Sequence, residues 1–108
     1  MNLNEYQQKA KETAVYPEQI GLGYTILGLC GEAGEIANEY KKVLRDDNGY
    51  MTSERNEKLL DELGDCLWYV AMIAKELEVD LNYIALRNLQ KLQLRKAAKT
   101  LQGSGDDR

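Results

Sequence analysis

A chain of 108 residues has room for one domain around one core. Its net charge of -4, with 44% hydrophobic and 30% charged residues, fits a soluble domain and lacks the basic footprint of nucleic-acid binding. A small anionic ligand held by a few basic side chains and a metal stays possible. No apolar run approaches the roughly 20 residues of a membrane span. The opening Met1-Asn2-Leu3-Asn4-Glu5 lacks the basic-then-apolar layout of a signal peptide. The expectation is a cytoplasmic protein.

The first predicted helix covers about 3–14. Asn2, with Glu5 three residues on, has the form of an N-cap and its reciprocal partner. Leu3, Tyr6, Ala10 and Ala14 supply a thin apolar stripe. Tyr16-Pro17 interrupts the pattern, and Pro17 suits an early position of the next helix. That second helix is predicted over about 18–44. It carries Gly21, Gly23, Gly28, Gly31 and Gly34, each costing about 1 kcal/mol relative to Ala in a helix interior. Either the helix breaks near 21–23 or something approaches closely. At Gly28 a missing side chain leaves room for a ligand; for Gly31 and Gly34 tight helix packing is an equally good reason.

Residues 45–53 read as a polar loop, whose Asp-Asp-Asn-Gly run lacks the spacing of a calcium EF-hand. Thr52 or Ser53 then caps a third helix, about 54–77, and Asp80 caps a fourth, about 81–101. Residues 103–108 have nothing to bury and are expected to form a disordered tail after a single domain of 1–102. Cys30 and Cys66 come with no C-x-x-C pair and no histidine. They read as small core hydrophobes, with a disulfide or soft-metal site as the alternative. No strand pattern appears. The fold class is all-α, a four-helix, bundle-like domain.

Two acidic stretches organise this chain. Within Gly31-Glu32-Ala33-Gly34-Glu35-Ile36, helical geometry places Glu32, Glu35 and the later Glu39 inside an arc of roughly 60°. The apolar stripe of Leu29, Ala33, Ile36, Ala37, Tyr40 and Val43 lies about 80–90° round. Asp61-Glu62-Leu63-Gly64-Asp65-Cys66 repeats the grammar of acid, apolar, Gly, acid. Its Glu62 and Asp65 flank a second stripe of Leu59, Leu63, Cys66, Val70 and Ala74. If the two helices pack together, four carboxylates converge and repel unless a cation sits among them.

Four carboxylates in a chain without histidine suit a hard, oxygen-seeking cation, Mg²⁺ first and Mn²⁺ next. The missing histidines also exclude the Glu-x-x-His di-iron pattern. Mg²⁺ is held by a few carboxylates together with substrate phosphates, which points to phosphate chemistry. On the fourth helix Asn88, Lys91 and Arg95 share one narrow arc beside the stripe of Leu81, Ala85, Leu89 and Leu92. Lys91 and Arg95 are candidate phosphate ligands. A solvated acidic shoulder and a solvated basic face are the plainer alternatives.

Glu32-x-x-Glu35, 26 intervening residues and Glu62-x-x-Asp65 together resemble the signature of the MazG-type all-α nucleoside triphosphate pyrophosphohydrolases. Gly31 to Ile36, Asp65-Cys66-Leu67-Trp68-Tyr69 and Asn88-x-x-Lys91-x-x-x-Arg95 extend the resemblance over about residues 3–96. It implies hydrolysis of a nucleoside triphosphate between the α and β phosphates. It matches Glu32, Glu35, Glu62 and Asp65 to Mg²⁺ ligands, and Asn88, Lys91 and Arg95 to contacts with sugar and phosphates. Glu35 or Glu32 is then the candidate general base. Glu39 is an extra acid, reaching the site through water or facing solvent.

The resemblance also implies a homodimer or homotetramer, in which the substrate meets more than one chain. Short helical domains commonly gain stability by such association. Trp68 lies away from the core stripe, which suits an interface, base stacking or packing on the first helix. Tyr6 and Gln7 are further candidates for base recognition. Two rivals accompany this reading: a phosphoribosyl-ATP pyrophosphohydrolase-like activity, and a non-catalytic helical oligomer whose acids bind a structural cation or a partner protein.

Overall fold

The computed structural model describes residues 1–99 and 105–106. Four helices are present and no strand among those residues: α1 (Leu3–Lys11), α2 (Gly21–Asp46), α3 (Ser53–Glu76) and α4 (Leu81–Ala97). The all-α reading is thus correct. The three sequence-predicted caps form as expected, satisfying backbone N–H groups that a helix leaves open at its start. Glu5 N–H donates to Asn2 Oδ1 at 2.9 Å, Arg55 N–H to Thr52 Oγ1 at 3.2 Å, and Tyr83 N–H to Asp80 Oδ1 at 2.7 Å.

The predicted boundaries move where glycine and turn chemistry intervene. A single 3₁₀ turn, Glu18–Ile20, precedes α2, so the break falls just before Gly21. Gly21 is buried where a side chain would strike the Glu76 carboxylate. Gly28 lies against the Tyr69 ring, so the room expected for a ligand is filled by an aromatic side chain of α3. At Gly31 and Gly34 no described residue beyond the local helix backbone comes within 4 Å of where a Cβ would stand, so neither serves tight packing among the described residues. Helix α4 stops at Ala97 instead of near 101, and Lys99 turns left-handed at φ 61°; residues 100 and 101 lie outside the described set. Of the predicted tail, 103, 104, 107 and 108 lie outside it too, whereas Gly105 and Asp106 form a turn that contacts α4.

Helices α2 and α3 form a long hairpin. Asn48 and Gly49, both at positive φ, reverse the chain between them, and Gly49 N–H donates to Val43 O at 2.9 Å. Helix α3 packs against all three other helices, whereas α2 packs chiefly against α3 and the turn before it. The core sits where α1, α3 and α4 meet, built from Ala10, Ala71, Met72 and Leu81 with Tyr6, Tyr16, Trp68 and Val70 around them.

Gln7 keys these three helices together. Its amide donates to Ala71 O at 3.2 Å and Val79 O at 3.1 Å, and accepts from Leu81 N–H at 3.0 Å. With its side-chain amide so engaged and the residue only 4% exposed, Gln7 supports the fold and does not face a base. Leaving those groups unsatisfied costs about 1–3 kcal/mol each. Gln7→Ala should therefore lower stability by about 2–4 kcal/mol in urea denaturation, given partial rescue by water. A loss below about 1 kcal/mol would mean that water replaces the amide fully.

The predicted apolar stripes are only partly covered. Val43, Ala74 and Leu81 are buried, but Ala33, Ala37, Tyr40, Leu63 and Leu89 are exposed. Leu27, Leu44, Leu60 and Leu94 are more than half exposed as well. One chain does not supply enough helix to close both faces of the hairpin. Its radius of gyration, 16.7 Å, exceeds the roughly 13 Å expected of a compact chain of this size.

Candidate metal centre

The hairpin brings three of the predicted acids together. Glu32 on α2 and Glu62 and Asp65 on α3 each offer a carboxylate oxygen within 4.8 Å of the other two. Glu35 stands one turn along α2, exposed, and outside that group. Glu62 Oε2 is buried without a hydrogen-bond partner. Hydrogen bonding to the Glu32 carboxyl, then burial, then the charges of Glu32, Glu39 and Asp61 push the Glu62 pKa up. An oxygen buried among like charges is an unfavourable arrangement for the protein alone. A hard cation relieves both the repulsion and the missing partner, so the residues fit Mg²⁺ or Mn²⁺.

Glu39 is turned to another task. Its carboxylate meets Arg55 Nη1 at 3.3 Å and Lys42 Nζ at 3.5 Å, and the residue is 8% exposed. Burial opposes its ionisation, but Lys42 and Arg55 prevail and hold its pKa below the usual range. Arg55 also reaches Asp47 at 2.9 Å, so this network clamps the hairpin turn. Glu39 therefore does not face solvent: it is a buried ion-pair partner of Arg55 and Lys42.

Beside the acids opens a cavity of about 310 Å³ lined by Thr13, Glu32, Asp65, Trp68 and Tyr69. Its wall is aromatic. Trp68 meets Tyr69 edge-on at 5.0 Å and Tyr16 at 6.3 Å, and Tyr16 stacks on Tyr24 at 5.1 Å. The Trp68 indole N–H donates to Thr13 Oγ1 at 2.8 Å and lies 3.3 Å from Ala10 O, which docks the ring on α1 and its C-terminal turn. Burial, followed by neighbouring charges that include Glu32 and Asp65, raises the Tyr69 pKa. Cys66, behind the acids, is pushed up by burial and then by Glu32, Glu62 and Asp65. Both cysteines are free thiols, and Cys30 is exposed instead of in the core.

The α4 residues lie elsewhere. Asn88 lines a cavity with Ile84, Arg87 and Lys91, and Lys91 and Arg95 line an adjoining one with Arg87 and Asp106. No α4 residue lines the acidic cavity. Arg87 and Thr13 escaped the sequence reading. Arg87 had a visible signal, since 87, 91 and 95 repeat at i, i+4 and i+8; Thr13 had none.

A family model described as the MazG nucleotide pyrophosphohydrolase domain matches residues 23–99, which holds all three clustered acids and the basic residues of α4. The chain belongs to the MazG family. It is also similar to the gene 37 protein of Mycobacterium phage L5, 50% identical over 114 aligned residues that cover both chains completely. No solved structure matches it. MazG membership supports a pyrophosphohydrolase acting on nucleotides, and the acidic cluster accords with the metal dependence typical of such enzymes. The match begins inside α2, so α1, which docks Trp68, lies outside the matched segment.

Proposed function

We propose that the protein is a Mg²⁺-dependent nucleoside triphosphate pyrophosphohydrolase, with Mn²⁺ able to substitute, releasing a nucleoside monophosphate and pyrophosphate. The observation that carries this is the convergence of Glu32, Glu62 and Asp65, with an unpartnered buried Glu62 oxygen, beside an aromatic-walled cavity that Glu32 and Asp65 line. Glu32, Glu62 and Asp65 would hold the cation. When bound, the cation supplies charge neutralisation to the phosphates and lowers the pKa of water.

The chain's own residues do the rest. Trp68 and Tyr69 offer ring surface for a base, which every nucleobase can use and which therefore favours no single one. Glu35, exposed and outside the cluster, would accept the proton of the attacking water, a role Glu32 fills less well while it holds a cation. Attack at the α phosphorus breaks its bond to the bridging oxygen, and pyrophosphate leaves.

Asn88, Lys91 and Arg95 belong to this site through a second copy of the chain. None of them lines the acidic cavity of its own chain, and exposed leucines on α2, α3 and α4 leave helix faces for another copy to cover. The assembly is a homodimer or homotetramer with shared sites. A cytoplasmic location accords with this chemistry, and no helix among the described residues is long and apolar enough to cross a membrane.

The test is pyrophosphate release from a panel of ribo- and deoxynucleoside triphosphates with Mg²⁺, Mn²⁺ or chelator present. Metal-dependent release from one or several of them is expected. Absence of release from every member by folded, metal-loaded protein would overturn the proposal in favour of a non-catalytic helical module.

A further inference from the structure

We propose that the chain carries its own competitor for phosphate: the Asp106 carboxylate occupies the anion position made by Lys91 and Arg95, and a phosphate group must displace it to bind there. This rests on the reading of Lys91 and Arg95 as phosphate ligands. One oxygen, Asp106 Oδ1, receives both Lys91 Nζ at 2.8 Å and Arg95 Nη2 at 2.9 Å. Two cationic donors converging on a single anionic oxygen are what a phosphate oxygen also requires. Arg95 Nη2 additionally lies 3.4 Å from Gly105 O, so the turn is held at two points.

The arrangement favours exchange. Arg95 is 6% exposed and fixed in place, whereas the Asp106 side chain is 77% exposed and sits on the solvent side of the contact. The surrounding cavity, about 370 Å³ and lined by Arg87, Gln90, Lys91, Leu94, Arg95 and Asp106, is larger than a carboxylate needs. Arg87, Lys91 and Arg95 thus border the site, and a more highly charged phosphate or pyrophosphate gains more from them than a carboxylate does. Lys91 first, and then Arg95, hold the Asp106 pKa down to about 2, so the contact stays ionised throughout the physiological range. Phosphate concentration and ionic strength therefore govern the exchange, with the charge on the carboxylate constant.

A tethered competitor acts at an effective concentration in the millimolar range. It should reduce phosphate affinity by about two- to tenfold. Calorimetric titration with inorganic pyrophosphate, without divalent metal so that the basic face alone reports, tests this on the full chain. Asp106→Asn should tighten binding by that factor at low salt, with the gain shrinking at high salt. Lys91→Gln should weaken binding and reduce the benefit of Asp106→Asn in the double variant.

Unchanged affinity in Asp106→Asn, with Lys91→Gln still weakened, would overturn the competitor and leave the phosphate reading of α4 intact. Unchanged affinity in Lys91→Gln would remove the phosphate reading and the competitor with it. Circular dichroism of each variant confirms that the helices are retained.

Discussion

Asp65→Ala is expected to lower pyrophosphate release by about a thousandfold while leaving the helices intact. Asp65 is exposed, so its replacement creates no core cavity and breaks no buried contact. What it removes is one of three oxygens grouped within 4.8 Å. Metal stabilisation of the transferring group is worth several kcal/mol, and about 4 kcal/mol corresponds to roughly three orders of magnitude in rate. Glu35→Gln provides the contrast. As proton acceptor Glu35 should contribute about 10²–10⁴-fold, yet its loss should leave Mn²⁺ binding, followed by electron paramagnetic resonance, near the wild-type level. Asp65→Ala should lose both rate and metal affinity. Retained activity in Asp65→Ala would remove the cluster from the chemistry, and lost Mn²⁺ binding in Glu35→Gln would return that residue to the ligand set.

Helix starts were legible because capping is local: Asn2, Thr52 and Asp80 each bond a backbone N–H three residues away. The acidic cluster was legible because two helical registers repeat, and register needs no knowledge of tertiary partners. Glu39 illustrates the limit. It shares the arc of Glu32 and Glu35, but Arg55 lies 16 positions on, across the hairpin, and claims its carboxylate. No wheel of one helix contains that partner. Gly28 has the same lesson, since the ring that fills its space belongs to Tyr69 on α3. A wheel also marks which face is apolar without telling whether the same chain covers it. Leu63 and Leu89 lie on the predicted core stripes, yet both are exposed. Composition marks the tail as having nothing to bury, but Asp106 needs only cationic partners, which it finds in Lys91 and Arg95.

Glu62→Gln should stabilise the metal-free protein and, by the same change, remove most of its stabilisation by metal. The folded state holds the Glu62 pKa above its ordinary value of 4.5. Over the interval between the ordinary and the raised value the folded chain binds more protons than the unfolded one. Stability therefore falls as pH rises from about 4.5 through the raised pKa, and stays at the lower level beyond it. A neutral glutamine does not titrate, so the variant should lack this loss and melt above the wild type at neutral pH in chelator. Mg²⁺ reverses the order. A ligand at a hundred times its Kd adds about 2.7 kcal/mol, on the order of 10 °C for a domain of this size, and the wild type should gain it with proton release. Glu62→Gln should gain little, because one of three oxygens has lost its charge. The two melting temperatures should cross between chelator and saturating Mg²⁺. Parallel shifts in both proteins would mean that Glu62 is not a ligand, and an unchanged or lower melting temperature for the variant in chelator would mean that its buried oxygen carries no repulsive load.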